Sequence, residues 1–213
     1  MESFQQVGLR HGTDKAITHF YMDTYEKYLG HLRDKEFLMW ELGIAACNSI
    51  RAWRELFSKA KIIGIDNNPD SANYGDDLYI GDQTDTAFLD SLLDKFGQPL
   101  VIIDDASHHG PKTIASFKHL FPKMKEGGYY FVEDNHCFYD QTYGEAPPYG
   151  QGMSEVYKFF SGLDIHVDVY GRAMTGDSKY AIEAAIEVPP VPEYSRILDS
   201  IHIHTSLRLF KRK

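Results

Sequence analysis

The chain has 213 residues, 43% hydrophobic and 25% charged, which is enough for one domain with a substantial core. Its net charge of −9, with histidine neutral, disfavours nucleic acid or an anionic membrane as a partner, since both need a basic footprint. No apolar run reaches the roughly 20 residues of a membrane span. The first residues lack the pattern of a signal peptide. Cys47 and Cys137 suggest no zinc cluster, and reduced thiols in a cytoplasmic protein are expected.

Helix-like and strand-like segments alternate along the chain. Thr18 to Leu32 reads as a helix with an aromatic stripe of Tyr21, Tyr25 and Tyr28. Glu36 to Gly43 reads as a buried strand, and Asn48 to Ala60 as a helix with Trp53, Leu56 and Phe57 at helical spacing. Strands follow at Lys61 to Asp66 and Leu78 to Gly81. An amphipathic helix is expected over Asp85 to Phe96, a strand over Leu100 to Asp104 and a helix over Lys112 to Lys125. A turn at Gly127-Gly128 leads into a strand over Tyr129 to Glu133. This order argues for an α/β fold, a parallel sheet with helices on both faces. Residues 135–152, rich in Tyr, Gly and Pro, read as a loop near the site, and Met153 to Leu163 as a helix. Strands near Ile165 to Tyr170, Ala181 to Val188 and Ser200 to Phe210 are read as finishing the sheet, with an antiparallel pair. No repeat or second domain is visible.

Two strand-type runs end in carboxylates followed by histidine: Val101 to Asp104-Asp105, then His108-His109, and Tyr130 to Glu133-Asp134, then His136. On spacing alone each acidic pair could cap a helix or lie in a solvated turn. Their recurrence at successive strand ends favours a site, because open α/β sheets bind ligands outside the carboxyl ends of their strands. Carboxylates converging there repel one another unless a cation lies between them. Other strand ends add to the pattern. Glu41-Leu-Gly43 precedes a helix, and Asp66 lies 23 residues beyond Gly43, where an acid commonly takes ribose hydroxyls. Asp82-Gln83 follows the third strand and has side chains suited to an adenine edge. Three spaced glycines are missing, so a nicotinamide dehydrogenase is not expected. A nucleoside cofactor without phosphates, S-adenosylmethionine, suits this acidic edge.

These residues resemble the metal-dependent class I sugar methyltransferases of macrolide and related glycoside biosynthesis, typified by the mycinamicin and macrocin O-methyltransferases. The resemblance runs from Gly12-Thr-Asp-Lys15, with His19, Tyr21 and Tyr25, through Glu41-Leu-Gly43 with Ser49 and Trp53. It continues in Gly81-Asp82-Gln83-Thr-Asp85, Ile103-Asp104-Asp105-Ala-Ser-His108, Gly127-Gly128 leading to Glu133-Asp134, and Ser200-Ile-His202. Cys47, Asn48 and Ala106 depart from it, standing where glycine is usual, and a counterpart of the auxiliary N-terminal domain of some members is not expected.

The resemblance implies a Rossmann-like class I methyltransferase fold with a seven-stranded, mostly parallel sheet. It implies a single domain over 1–213, with an N-terminal helical lid (1–33) and an active-site loop and helix (135–163). Asp105, Glu133 and Asp134 would hold Mg²⁺ or another hard divalent cation, and His108 would be the general base. S-adenosylmethionine would be contacted by Lys15, Tyr21, Glu41, Gly43, Ser49, Asp66, Asp82, Gln83 and Asp104. His109 and His136 are candidates to face the substrate or to lie at the surface beside it, and Tyr139 either stacks on the sugar or packs. The expected reaction is methylation of a sugar hydroxyl on a glycosylated natural product or saccharide. A hydroxyl pKa comparable to water's ~15.7 calls for metal activation and a base. N-methylation of an aminosugar is the rival within the fold, and a metallohydrolase or a non-catalytic binder are the rivals outside it. A homo-oligomer, dimer or larger, is expected from the aromatic N-terminal helix.

Overall fold

Strand parity decides what each side of the sheet carries. The computed structural model describes residues 1–139, 155–173, 192–194 and 197–213. The strands are β1 (Leu38–Leu42), β2 (Lys61–Asp66), β3 (Leu78–Ile80), β4 (Val101–Asp104), β5 (Tyr129–Val132), β6 (Leu198–His204) and β7 (Leu207–Arg212). They form one sheet in the order β3-β2-β1-β4-β5-β7-β6. The first five are parallel, whereas β7 pairs antiparallel with both β5 and β6.

Because successive side chains on a strand point to opposite faces, Met39, Ile62, Val101, Ile103 and Phe131 supply one core. It is covered by α1 (Phe4–His11), α2 (Asp14–Ile17), α3 (Met22–Leu29) and α4 (Asn48–Leu56). Trp40, Leu42, Ile63, Ile65, Ile102, Tyr130 and Val132 supply the other core, under α5 (Thr86–Phe96), α6 (Gly110–Leu120) and α7 (Glu155–Ala173). Burial on both faces explains why β1, β2 and β4 read as nearly continuous apolar runs.

Several expected elements fall elsewhere. The helix expected over Thr18 to Leu32 starts later, at Met22, because Phe20 adopts a left-handed φ of 57° that a continuing helix does not allow; α3 then runs to Leu29 and a 3-10 turn covers Gly30–Leu32. The strand expected near Ile165 to Tyr170 is the end of α7 instead. Val156, Phe160, Leu163 and Val167 follow one another at helical spacing on the second core, and this overrides the local β-branched alternation. The strand expected over Ser200 to Phe210 is a hairpin, turned at Ser206 with φ 58°. Helix α1 was not expected, although Ser3 and Gln6 form a capping box that marks its start. The strand expected over Ala181 to Val188 lies outside the described residues.

Parity also buries polar groups. Asp104 ends β4 on the α6 side, where its carboxylate accepts from Ser116 Oγ at 2.7 Å, Tyr130 OH at 3.0 Å and Gln83 Nε2 at 3.1 Å. Gln83 Oε1 in turn accepts from the Ser107 amide at 3.2 Å, so one buried network ties the loop after β3, the end of β4 and Tyr130 of β5 to α6. Burial raises the Asp104 carboxyl from its usual 3.8 to about 6, against the hydrogen bonds that lower it.

Two outcomes are expected. Phe117 packs its ring 4.7 Å from Phe210, 4.8 Å from Phe121 and 5.0 Å from Tyr130, so Phe117→Ala is expected to destabilise the fold by ~3–5 kcal/mol in urea denaturation. A carboxyl whose pKa rises on folding favours the native state while protonated. Asp104 therefore contributes its full stability below pH 3.8 and loses it as pH rises through about 6. At about 1.4 kcal/mol per unit, that loss is of the order of 3 kcal/mol. Urea titrations of Asp104→Asn at pH 4 and pH 7 in chelator are expected to lack it.

Candidate active site

At the carboxyl ends of β1, β2, β3 and β4 the chain leaves a cleft of about 530 Å³. Of the residues expected at the site, Gly43, Ser49, Asp66, Asp82, Gln83, Asp105, His108 and Asp134 line it. Gly43 holds φ +80°, and a Cβ there would lie 2.2 Å from the Asp105 carbonyl oxygen and 2.5 Å from the Ala106 Cα. Only glycine lets the β1 and β4 loops approach this closely. Left-handed backbone recurs nearby at Ala45, Cys47, His108 and Asp134, with φ between 41° and 59°. Non-glycine residues in that region collect at sites where the surrounding structure over-determines them.

On the expected cofactor side, Asp66 Oδ2 accepts from the amides of Ile44 and Ala45 at 3.0 and 3.1 Å, while Oδ1 accepts from Asn68 at 2.8 Å. Its carboxylate thus folds the loop after β1 around itself. Asp82 accepts from Thr84 Oγ1 at 2.7 Å and Lys112 Nζ at 2.9 Å, and these hydrogen bonds hold its pKa down at about 2. Gly12, Thr13 and Asp14 bring the N-terminal segment into the cleft wall, secured by Asn48 Nδ2 donating to the Gly12 carbonyl at 2.8 Å.

The acidic pole follows from parity continued one residue past the strands. The amides of Asp105 and Glu133 still bond to Leu42 and Asp104 across the sheet, at 2.9 and 3.0 Å. Asp105 and Glu133 therefore stay on the face that carries Glu41. There they meet Lys15, whose Nζ lies 2.9 Å from Glu133 Oε2 and 3.3 Å from Glu41 Oε1, and donates a hydrogen bond to Asp105 Oδ2. Burial opposes the Lys15 charge, yet the three carboxylates hold its pKa well above the usual range. Glu41 also accepts from Ser49 Oγ at 3.0 Å and Trp53 Nε1 at 3.1 Å, and burial raises its carboxyl to about 7. Glu133 Oε1 accepts from the Tyr25 hydroxyl.

Asp134, turned by its left-handed backbone, leaves this cluster. Its oxygens lie 2.9 Å from Tyr21 OH, 3.4 Å from His19 Nδ1 and 3.6 Å from His108 Nε2. Asp105, His108 and Asp134 each offer one ligand atom, and these atoms lie within 4.8 Å of one another. The two carboxylates, Asp105 and Asp134, suit a hard divalent cation, and the His108 imidazole stands beside them in the polar cleft.

The sequence-derived set therefore divides. Glu133, expected with the metal ligands, stands outside this triad because parity turns it toward Lys15 and Tyr25, which engage both its oxygens. Lys15, Tyr21, Glu41 and Asp104, expected at the cofactor, are buried and do not line the cleft. His109 starts α6 beside the cleft, His136 bonds Ser206 Oγ through Nδ1 at 2.5 Å, and Tyr139 is exposed with its ring 5.9 Å from Tyr157. His19 was not singled out by role. Its ring stacks on Tyr21 and, 6.4 Å away, on His136, and the only signal was its place after Lys15 in the N-terminal motif.

No protein-family model matches the chain. Among curated proteins it is 32% identical over 216 residues to the 8-demethyl-8-alpha-L-rhamnosyl tetracenomycin-C 2'-O-methyltransferase of Streptomyces olivaceus, covering 97% of this chain and 54% of that one. It is 30% identical over 156 residues to the mycinamicin VI 2''-O-methyltransferase of Micromonospora griseorubida, covering 67% of this chain and 39% of that one. The chain thus spans about half, or less, of the length of these relatives. Among solved structures, the MycE methyltransferase of the mycinamycin pathway, in complex with Mg, SAH and mycinamycin VI, superposes with a TM-score of 0.80 at 22% identity, covering 99% of this chain and 53% of that one. By sequence the chain is a homologue of the sugar O-methyltransferases of these antibiotic pathways, and by structure it has the Rossmann-like class I methyltransferase fold.

Proposed function

We propose that this chain is an S-adenosylmethionine- and Mg²⁺-dependent O-methyltransferase acting on a sugar hydroxyl of a glycosylated natural product. The observation that carries this reading is the grouping of Asp105, His108 and Asp134 at one end of a cleft whose other walls are the ends of β1, β2 and β3. Support also comes from relatives named for methylation of rhamnosyl and mycinamicin hydroxyls, and from MycE, whose complex holds Mg and SAH. The acidic character of the cleft suits a cofactor with a sulfonium and an ammonium group.

In this reading Gly43, Ser49, Asp66, Asp82 and Gln83 would hold S-adenosylmethionine, which when bound would supply the methyl group. Asp105 and Asp134 would hold the divalent cation, which when bound lowers the pKa of an acceptor hydroxyl. His108, 26% exposed and held at a left-handed corner, takes the hydroxyl proton, and its imidazole is suited to accept one near neutral pH. Asp134 lies 3.6 Å from His108 Nε2, so the base and the carboxylates sit at one end of the cleft. Methyl transfer from a sulfonium then needs alignment of the two centres, which a rigid strand-end scaffold supplies.

Two measurements test the reading. Titration calorimetry of S-adenosylmethionine into the full chain is expected to show micromolar binding, and its absence with and without Mg²⁺ would sink the proposal. With rhamnosyl glycosides as acceptors and mass spectrometry as the readout, His108→Ala is expected to lower kcat by ~10²–10⁴ while cofactor affinity stays unchanged. Asp105→Asn is expected to abolish Mg²⁺-dependent turnover.

A further inference from the structure

Lys15 is the only buried lysine among the described residues, with a side chain 1% exposed. It enters the interior from α2, a single helical turn, and touches one carboxylate from each of β1, the β4 end and the β5 end. Three carboxylates gathered in the interior repel one another unless positive charge or protons offset them, and the Lys15 ammonium touches all three. Asp105 connects this cluster to the cleft. It is 16% exposed, its Oδ2 accepts from Lys15, and the same carboxylate belongs to the group formed with His108 and Asp134. Any cation at that group therefore shares a carboxylate with the Lys15 ammonium.

We propose that Lys15 is a positioning residue, a resident counter-cation that holds Asp105 and Glu133 in place before a divalent cation binds and then opposes that cation electrostatically. This role rests on the divalent-cation site of the proposed function. It makes two demands. The site must stay folded without metal because Lys15 supplies the missing positive charge. Metal affinity must also be weaker than the carboxylates alone would give, because a like charge lies one carboxylate away. A lysine that merely fills space in the core would meet neither.

The experiment compares the full chain with Lys15→Met, a replacement of similar length without charge. Thermal melts are taken in chelator and in Mg²⁺, and Mn²⁺ binding is followed by electron paramagnetic resonance. Lys15→Met is expected to melt well below the unmodified chain in chelator and to regain most of that loss in Mg²⁺, whereas the unmodified chain shifts little. Its Mn²⁺ affinity is expected to rise by at least about tenfold. Equal destabilisation with and without Mg²⁺, or unchanged or weaker Mn²⁺ binding, overturns the role. If Lys15→Met does not fold, Lys15→Met combined with Glu41→Gln removes a carboxylate that is not a ligand candidate along with the ammonium. That double variant is expected to fold in chelator and to bind Mn²⁺ more tightly than Glu41→Gln alone, and no such gain overturns the role. Absence of Mn²⁺ binding to the unmodified chain would instead overturn the metal site of the proposed function.

Discussion

A lysine from one turn of helix lies among carboxylates from three strand ends, and this contact decides how the N-terminal segment meets the sheet. Removing charged groups from water is unfavourable by several kcal/mol for each ion unless partners and hydrogen bonds replace the solvent. Here the partners come from residues 90 and 118 positions further along the chain, so Lys15 holds its place only once β4 and β5 have been assembled. Tyr25 and Trp53 complete the shell by donating to Glu133 and Glu41. The acidic edge and the aromatic core beneath α3 and α4 are in this way one structure, with Tyr25 packed 5.0 Å from Trp53 and 4.7 Å from Phe131.

The same edge concentrates backbone that is unfavourable elsewhere. Gly43 permits contact between the loops after β1 and β4 that a Cβ would block. His108 and Asp134, both left-handed, break the strand parity at the point where parity would have turned Asp134 away from Asp105. Strain of this kind persists when the surroundings hold it. Here the holding groups are visible: Asp66 gathers the amides of the β1 loop, and the Asp104–Gln83–Ser116 network fixes the loop after β4. A cleft built from such loops owes its shape to the fold's own hydrogen bonds.

Two carboxylate sets in different surroundings thus lie a few ångströms apart. Glu41 and Glu133 are closed off with Lys15, whereas Asp105 and Asp134 face the cleft with His108, and Asp105 belongs to both groups. In the sequence Asp105, Glu133 and Asp134 look equivalent, and burial separates them. The homology to sugar O-methyltransferases and the class I fold agree with the placement of this edge at the ends of the parallel strands.

What the sequence determined by itself is local. The alternation of apolar runs and helical spacings carried the α/β order, and carboxylates directly after β4 and β5 marked the edge where the cleft lies, because strand ends and ligand sites coincide in open sheets. The Ser3 capping box also carried the start of α1, although that helix went unread. Tertiary structure decided the rest. Residues 165–170 read as a strand yet are helical, because Val156, Phe160, Leu163 and Val167 together match the second core better than a strand would. Which oxygens of Glu133 and Asp66 are engaged, and that Lys15 serves carboxylates and does not line the cleft, depends on contacts between distant segments. Periodicity reports which face a residue occupies; the burial of a charge and its partner exist only after the chain has folded back on itself.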